Sequence, residues 1–154
     1  MNLIDSEIKP FYGIDDISFD MTYDDMKELL KANKIKYQVE IYPNKGCDPE
    51  VAWTLIRIDK GITVYFALNK MFKICFEESY KGKLANGIFI GMAMEDAISI
   101  DSSLEYNDDE EDYESELGYW VEDDLDTNRI MRITIFIKEV LDEEVFFTYD
   151  WTRN

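Results

Sequence analysis

ISFDMTYDDMKELLKAN, residues 17–33, has a counterpart further along the chain in IFIGMAMEDAISIDSSL, residues 88–104. Met21 aligns with Met92, Thr22 with Ala93, Asp24 with Glu95 and Asp25 with Asp96. Downstream, NKMFKICF (69–76) matches NRIMRITI (128–135), so that Asn69 pairs with Asn128, Lys70 with Arg129, Lys73 with Arg132 and Ile74 with Ile133. The offset falls from 71 to 59 between the two matches, so the halves differ by a deletion. A helix motif followed by a strand motif, twice in the same order, predicts a tandem repeat: 1–87, then 88–154, folded together as one domain.

Each half has the same local grammar. Thr22 is a helix N-cap, with Asp25 three residues on in the capping-box position. Met26, Leu29 and Leu30 supply the apolar stripe, and Asn33 is the stop signal. Strands are predicted at KYQVEIY (36–42), WTLIRID (53–59), ITVYFAL (62–68) and KMFKICFEE (70–78), with a Pro/Gly-rich loop over 43–49. After the connector KGKLANG (81–87), a short helix is expected near Met94 to Ser99, with Ala97 and Ile98 facing inward. Its strands are predicted at DEEDYESE (109–116), GYWVEDD (118–124), RIMRITIFIKE (129–139) and EVFFTYDW (144–151), with tight turns at Leu117-Gly118 and near Asn128. The fold class is therefore α+β, a run of antiparallel strands with helices packed on one face. One continuous sheet and two packed lobes both fit this pattern.

Apolar residues make up 46% and aromatic residues 14% of the 154, a composition that folds. The net charge of −18 is uneven. Residues 1–87 carry 12 Lys/Arg against 14 Asp/Glu; residues 88–154 carry 4 against 20. Such a surface repels a nucleic-acid backbone and an anionic membrane and attracts a basic protein. The chain has no His, which removes Ser-His-Asp and Cys-His catalysis and the commonest metal ligand. No catalytic residues, metal or cofactor are expected, and the chain is not read as an enzyme. Cys47 and Cys75 lack a metal-ligand spacing and read as idle thiols of a reducing compartment. MNLIDSEIKP has neither the basic nor the apolar region of a signal peptide, so a cytoplasmic location is expected.

Charge concentrates in EYNDDEEDYESELGYWVEDDLD, residues 105–126, where twelve of twenty-two residues are acidic and none is basic. Read as a strand, this run puts Asp108, Glu110, Asp112, Glu114 and Glu116 on one face and Asp109, Glu111, Tyr113, Ser115 and Leu117 on the other. The next strand adds Glu122 and Asp124 on the Trp120 face, with Asp123 between them and Tyr119 and Val121 opposite. These carboxylates, with Tyr113, Tyr119 and Trp120 as aromatic anchors, form the candidate partner-binding surface. Two plainer readings stand beside it: a solvated edge that discourages aggregation, and loose cation binding. An EF-hand is excluded, because counting from Asn107 puts Asp112 where the loop needs Gly. Asp15/Asp16 and Asp24/Asp25 read as helix-start residues. Lys70, Lys73, Arg129 and Arg132 read as cover for strand faces, paired with nearby carboxylates. Phe146, Phe147, Tyr149 and Trp151 read as core or sheet edge.

The two helix motifs resemble the I-x-x-G-M-s-x-e-e start of repeats in the beta-lactamase inhibitory protein-like and outer-membrane lipoprotein SmpA-like families. In those families a helical segment precedes an antiparallel sheet, and the inhibitor carries two repeats in one chain. Here Asp20 stands at the glycine position of the first repeat. In character (small, acidic, without catalytic groups) the chain is similar to cytoplasmic immunity proteins of bacterial toxin systems, including contact-dependent growth inhibition. That resemblance implies an antitoxin acting by protein–protein interaction, which neutralises a basic nuclease by covering the surface that meets nucleic acid. An acidic inhibitor is steered to such a target at up to ~10⁸–10⁹ M⁻¹s⁻¹ at low salt. A DNA mimic or acidic regulatory adaptor is the alternative, and a carboxylate-and-metal enzyme is a third.

Overall fold

Thr22 and Asp25 close the capping box that starts the first helix. The Asp25 amide donates to Thr22 Oγ1 and the Thr22 amide to Asp25 Oδ2, both at 3.1 Å. Helix α1 runs Tyr23–Ala32 and buries Met26 and Leu30. Asn33 stops it, its backbone and side-chain N–H groups both donating to the Leu29 carbonyl. The computed structural model describes residues 3, 5–42 and 52–142. Four strands follow α1: β1 (Tyr37–Tyr42), β2 (Trp53–Ile58), β3 (Ile62–Ala67) and β4 (Lys70–Phe76). The second half contains α2 (Met94–Ile100), β5 (Glu105–Asn107), β6 (Asp112–Glu114), β7 (Tyr119–Asp124) and β8 (Arg129–Phe136), then a 3-10 turn at Lys138–Leu141.

All eight strands form one antiparallel sheet in the order β1-β2-β3-β4-β8-β7-β6-β5. The choice between one sheet and two lobes falls to one sheet, because β4 and β8, the last described strand of each half, pair with each other. At the centre Cys75 faces Thr134, flanked by Ile74 opposite Ile135 and Phe76 opposite Ile133. The Cys75 Sγ and Thr134 Oγ1 atoms lie 3.4 Å apart. Alternate residues of the central strands (Ile74, Phe76, Ile133, Ile135) join Met26, Leu30, Met94 and Ala97 from the helices in one core.

Details recur in the two halves. A bulge interrupts the β3–β4 pairing at Tyr65/Phe66, and another interrupts β7–β8 at Glu122/Asp123, leaving Phe72 and Met131 as the extra residues. Isolated bridges tie Thr22 to Lys70 and Ala93 to Arg129, so each helix start is fastened to the first residue of its half's last strand. The expected pairing of these two cations with carboxylates is not seen among the described residues. Lys70 Nζ instead reaches the Phe19 carbonyl at 3.4 Å, and Arg129 donates to the Gly91 carbonyl at 2.8 Å.

The sequence reading needs three corrections. DEEDYESE is not one strand; only Asp112–Glu114 is extended. Asn107 Oδ1 accepts from the Asp109 and Glu110 amides, and the Asn107 carbonyl accepts from Glu111, whose φ is +56°. That side-chain turn folds the acidic run into the β5–β6 hairpin. On α2, Met94 rather than Ile98 accompanies Ala97 into the core; Ile98 lines a surface hollow with Tyr113 and Asp123. The first strand of the second half is Glu105–Asn107, which the sequence pattern did not mark. The segment EVFFTYDW, with Phe146, Phe147, Tyr149 and Trp151, lies outside the described residues, as do Cys47 and the 43–49 loop. The predicted turn at Gly118 is present: its φ is +98°, and a Cβ there would come within 2.4 Å of the Phe11 ring. Among the described residues no helix is long and apolar enough to cross a membrane.

One buried carboxylate fastens α2 to the β6–β7 turn. Asp101, 7% exposed, accepts from the Ser103 amide and hydroxyl at Oδ1 and from the Ser115 and Tyr119 hydroxyls at Oδ2. Burial pushes its pKa up, but the hydrogen bonds from Ser103, Ser115 and Tyr119 together hold it below the usual carboxylate value. Its stabilisation is therefore complete above about pH 4, the pKa of the unfolded chain, and is lost as pH falls through the lower folded value. Asp101→Ala takes the acceptor away from four donors, two of them the buried Ser115 and Tyr119 hydroxyls, and should cost about 2–3 kcal/mol in urea denaturation at pH 7. The difference between parent and variant should narrow as pH falls below about 4.

Candidate functional site

The register of the acidic strands sorts their side chains. In the β5–β6 hairpin Glu105 faces Glu114, Tyr106 faces Tyr113 and Asn107 faces Asp112; in the next pair Tyr113 faces Val121 and Glu114 faces Trp120. Tyr113, Tyr119 and Val121 point to the helix side, where Tyr119 and Val121 are buried in the core and Tyr113 packs against it. Asp112, Glu114, Trp120 and Glu122 point to the opposite, open face. The four turn residues Asp108, Asp109, Glu110 and Glu111 are all exposed at the hairpin tip.

On the open face, Glu110, Asp112, Trp120 and Glu122 converge on a cavity of about 170 Å³, shared with Tyr65, Lys73 and Arg132 from the centre of the sheet. Trp120 leans on Phe136, with ring centroids 4.4 Å apart. Arg132 bridges the two halves: it donates to Glu122 at 2.6 Å and to Glu77 at 3.3 Å. Glu114 accepts from Asn107 Nδ2 at 2.9 Å, which braces the hairpin. Lys73 Nζ lies 4.2 Å from the Tyr65 ring centre and 5.4 Å from that of Trp53.

Asp112 is the odd member. Among the described residues its Oδ1 is buried without a hydrogen-bond donor. Burial, followed by the charges of Glu114, Glu110 and Glu122, pushes its pKa up to about 7, against the opposing pull of Lys73. Lys73 is shifted the other way. Burial lowers it and Arg132 adds to that, while Cys75, Glu110 and Asp112 oppose. The arrangement can hold a proton near neutral pH and can accept hydrogen bonds from an incoming cation. No group of three or more His, Cys, Asp or Glu among the described residues could hold a metal ion.

No family model, curated protein or solved structure matches this chain. The site therefore has to be judged on its own geometry.

The structure gathers some of the thirteen candidate residues and separates others. Glu110, Asp112, Trp120 and Glu122 share the cavity, Glu114 adjoins it on β6, and Asp108, Asp109 and Glu111 form the tip beside it. Tyr119 is no surface anchor: it is 1% exposed, and its hydroxyl is held by Asp101 and Asn86. Burial, with Asp101 next, pushes its pKa up to about 12. Asp123 alternates with Trp120 and Glu122, so it lies on the Tyr119 and Val121 side and borders the hollow beside α2. Asp124 caps its own turn, accepting from the Asp126 and Thr127 amides. Glu116 lies in a separate shallow hollow with Ser103 and Glu114. Tyr65 was missed, and Lys73 and Arg132 were read as strand cover paired with nearby carboxylates, which holds for Arg132 with Glu77 and Glu122. The signal for the two cations was their shared repeat position, one residue before the central Ile74 and Ile133.

Asp112 has a definite pH signature. Its folded pKa lies above its unfolded one, so it favours the fold fully below about pH 4, and that contribution is lost as pH rises to about 7. Asp112→Asn should remove this slope. Urea denaturation at pH 5 and pH 8 should show the variant gaining about 1 kcal/mol on the parent between the two, once solvent screening is allowed for. An equal pH dependence in the two proteins would reject the assignment.

Proposed function

We propose that this chain is a cytosolic immunity protein that binds and neutralises a basic toxin domain of the nuclease kind, acting by binding rather than catalysis and without a cofactor. The observation that carries the reading is the hairpin tip. Asp108, Asp109, Glu110 and Glu111 stand consecutively exposed on a turn fixed by Asn107, and residues 105–126 contain no cation. A nuclease surface must be basic to hold phosphates, so this tip is complementary to it and repelled by nucleic acid itself. Trp120, half-buried beside Glu122 and Asp112, supplies an aromatic contact of the type that dominates binding hot spots.

The same reading includes a duplicated scaffold. Its support is the central pair Cys75 and Thr134, which correspond under the 59-residue offset, together with the matching bulges at Phe72 and Met131 and the matching Thr22–Lys70 and Ala93–Arg129 bridges. In this view one copy kept a balanced charge and the other was turned acidic for the partner.

The test is co-expression with a basic nuclease domain encoded beside this chain, followed by stopped-flow association of the purified pair. Growth should be restored, and the association rate should fall steeply between 20 and 300 mM salt. Replacing the four tip carboxylates by Asn and Gln should slow association at least about tenfold at low salt. An unchanged rate would discard the tip as the contact surface, and capture of many unrelated DNA-binding proteins would favour the DNA-mimic reading instead.

A further inference from the structure

The two edges of the sheet are built differently. At one end, β5 is three residues long and bordered by Glu105, Asp108 and Asp109, the short charged edge that discourages strand addition. At the other end, β1 has six residues, contains no Pro, and is exposed from Gln38 to Tyr42. Val39, Ile41 and Tyr42 are 42%, 70% and 51% exposed. Its single charge, Glu40, is already held by Arg57 of β2 at 2.6 Å. Among the described residues β1 has no strand on its outer side.

We propose that β1 pairs antiparallel with β1 of a second copy of this chain, across a two-fold axis at Val39. The register follows from the sequence. With Val39 opposite its own mate, Tyr37 faces Ile41 and Gln38 faces Glu40 of the other copy, so every residue from Tyr37 to Ile41 is paired. The row Tyr37, Val39 and Ile41 then extends the helix-side apolar face across the joint, since Tyr37 already packs against the core. A shift that places Val39 opposite Ile41 would oppose Glu40 to Glu40 and is disfavoured.

Charge selects a second copy as the occupant. Residues 1–87 carry a net −2 and residues 88–154 a net −16. β1 and the acidic β5 lie at opposite ends of an eight-stranded sheet. At roughly 4.8 Å per strand, each β5 lies more than ~30 Å from the joint, several times the ~8 Å screening length at physiological salt. Two copies can therefore meet at β1 without bringing their acidic halves together. A basic partner, by contrast, is drawn to the other end of the molecule. This inference stands independently of the immunity reading.

Sedimentation velocity of the full-length protein from 5 to 200 μM in 150 mM NaCl should show a reversible monomer–dimer equilibrium. A six-residue strand joint is small for a stable interface, so dissociation in the micromolar range is expected. Ile41→Lys replaces an exposed side chain, should leave thermal unfolding unchanged, and should weaken dimerisation at least tenfold. Val39→Cys should form an intermolecular disulfide under mild oxidation, whereas the parent and Leu125→Cys at the far end should not. A monomer at every concentration overturns the proposal. So does a dimer that Ile41→Lys leaves intact, or one that Val39→Cys fails to link. A parent that stays monomeric but takes up a strand from a toxin domain also overturns it.

Discussion

The antiparallel pairing of β4 with β8 is the constraint on which the rest depends. Without it the chain would be two four-stranded meanders, each with one helix and too little apolar surface for an independent core. With it, Ile74, Phe76, Ile133 and Ile135 become central, and the core runs without a break beneath both helices. The pairing also decides the electrostatics. It sets Lys73 of the nearly neutral half beside Glu110 and Asp112 of the acidic half, and lets Arg132 reach Glu77 and Glu122 at once. The charge imbalance in the sequence is thus partly answered within the molecule.

The carboxylates of residues 101–126 serve at least four different ends. Asp101 is a buried acceptor that joins a helix end to a turn. Asp124 caps a turn, as the amide oxygen of Asn107 does in the hairpin. Glu122 is neutralised by Arg132. The residues from Asp108 to Glu111 face solvent at the tip. The last group, like the exposed Glu105, Glu116 and Asp126, projects negative potential outward, and its cost to the fold is small because exposed like charges interact by a few tenths of a kcal/mol and are screened by salt. Composition counts all of these side chains as one acidic run. Hydrogen bonding separates them.

How much of this was legible in the sequence differs between the halves. In the first half the capping box at Thr22, the stop at Asn33 and all four strands were readable, because the strands are long, rich in β-branched and aromatic residues, and punctuated by Gly and Asn. In the second half the strands β5 and β6 have three residues each, and no two-residue alternation can be recognised over so short a span. The turn between them is made by an Asn side chain and a left-handed Glu111, in a run where every neighbour looks equally polar. Of the site, Glu110 with Asp112 and Trp120 with Glu122 were each legible as neighbours on one side of a strand, but the meeting of the two pairs was not. Tyr119 was misplaced because its inward position is set by Asp101, which no local pattern marks. Asp123 belongs to the Tyr119 and Val121 side by simple alternation, so its place away from Trp120 was legible although it was counted with the surface carboxylates. The β4–β8 contact had only an indirect trace, the 59-residue offset that makes Cys75 and Thr134 equivalent.

The two bulges occupy matching places in the sheet but have unlike surroundings. In each half the bulge inserts one extra residue beside the half's own cation, Phe72 next to Lys73 and Met131 next to Arg132. In the first half the residues opposite are Tyr65 and Phe66, so Lys73 lies over aromatic rings, where it is desolvated and, among the described residues, has no ion pair with a carboxylate. In the second half they are Glu122 and Asp123, so Arg132 is fully engaged in ion pairs. The two cations sit at equivalent backbone positions, and the cross-strand neighbours alone decide their states. That leaves Lys73 as the weaker counter-charge to Asp112, which is why a carboxylate in an otherwise ordered sheet keeps an unpaired oxygen. The open face therefore combines a hairpin tip where negative charge costs little with a cavity where it costs a great deal. A positively charged group arriving between them would relieve the second while being attracted by the first.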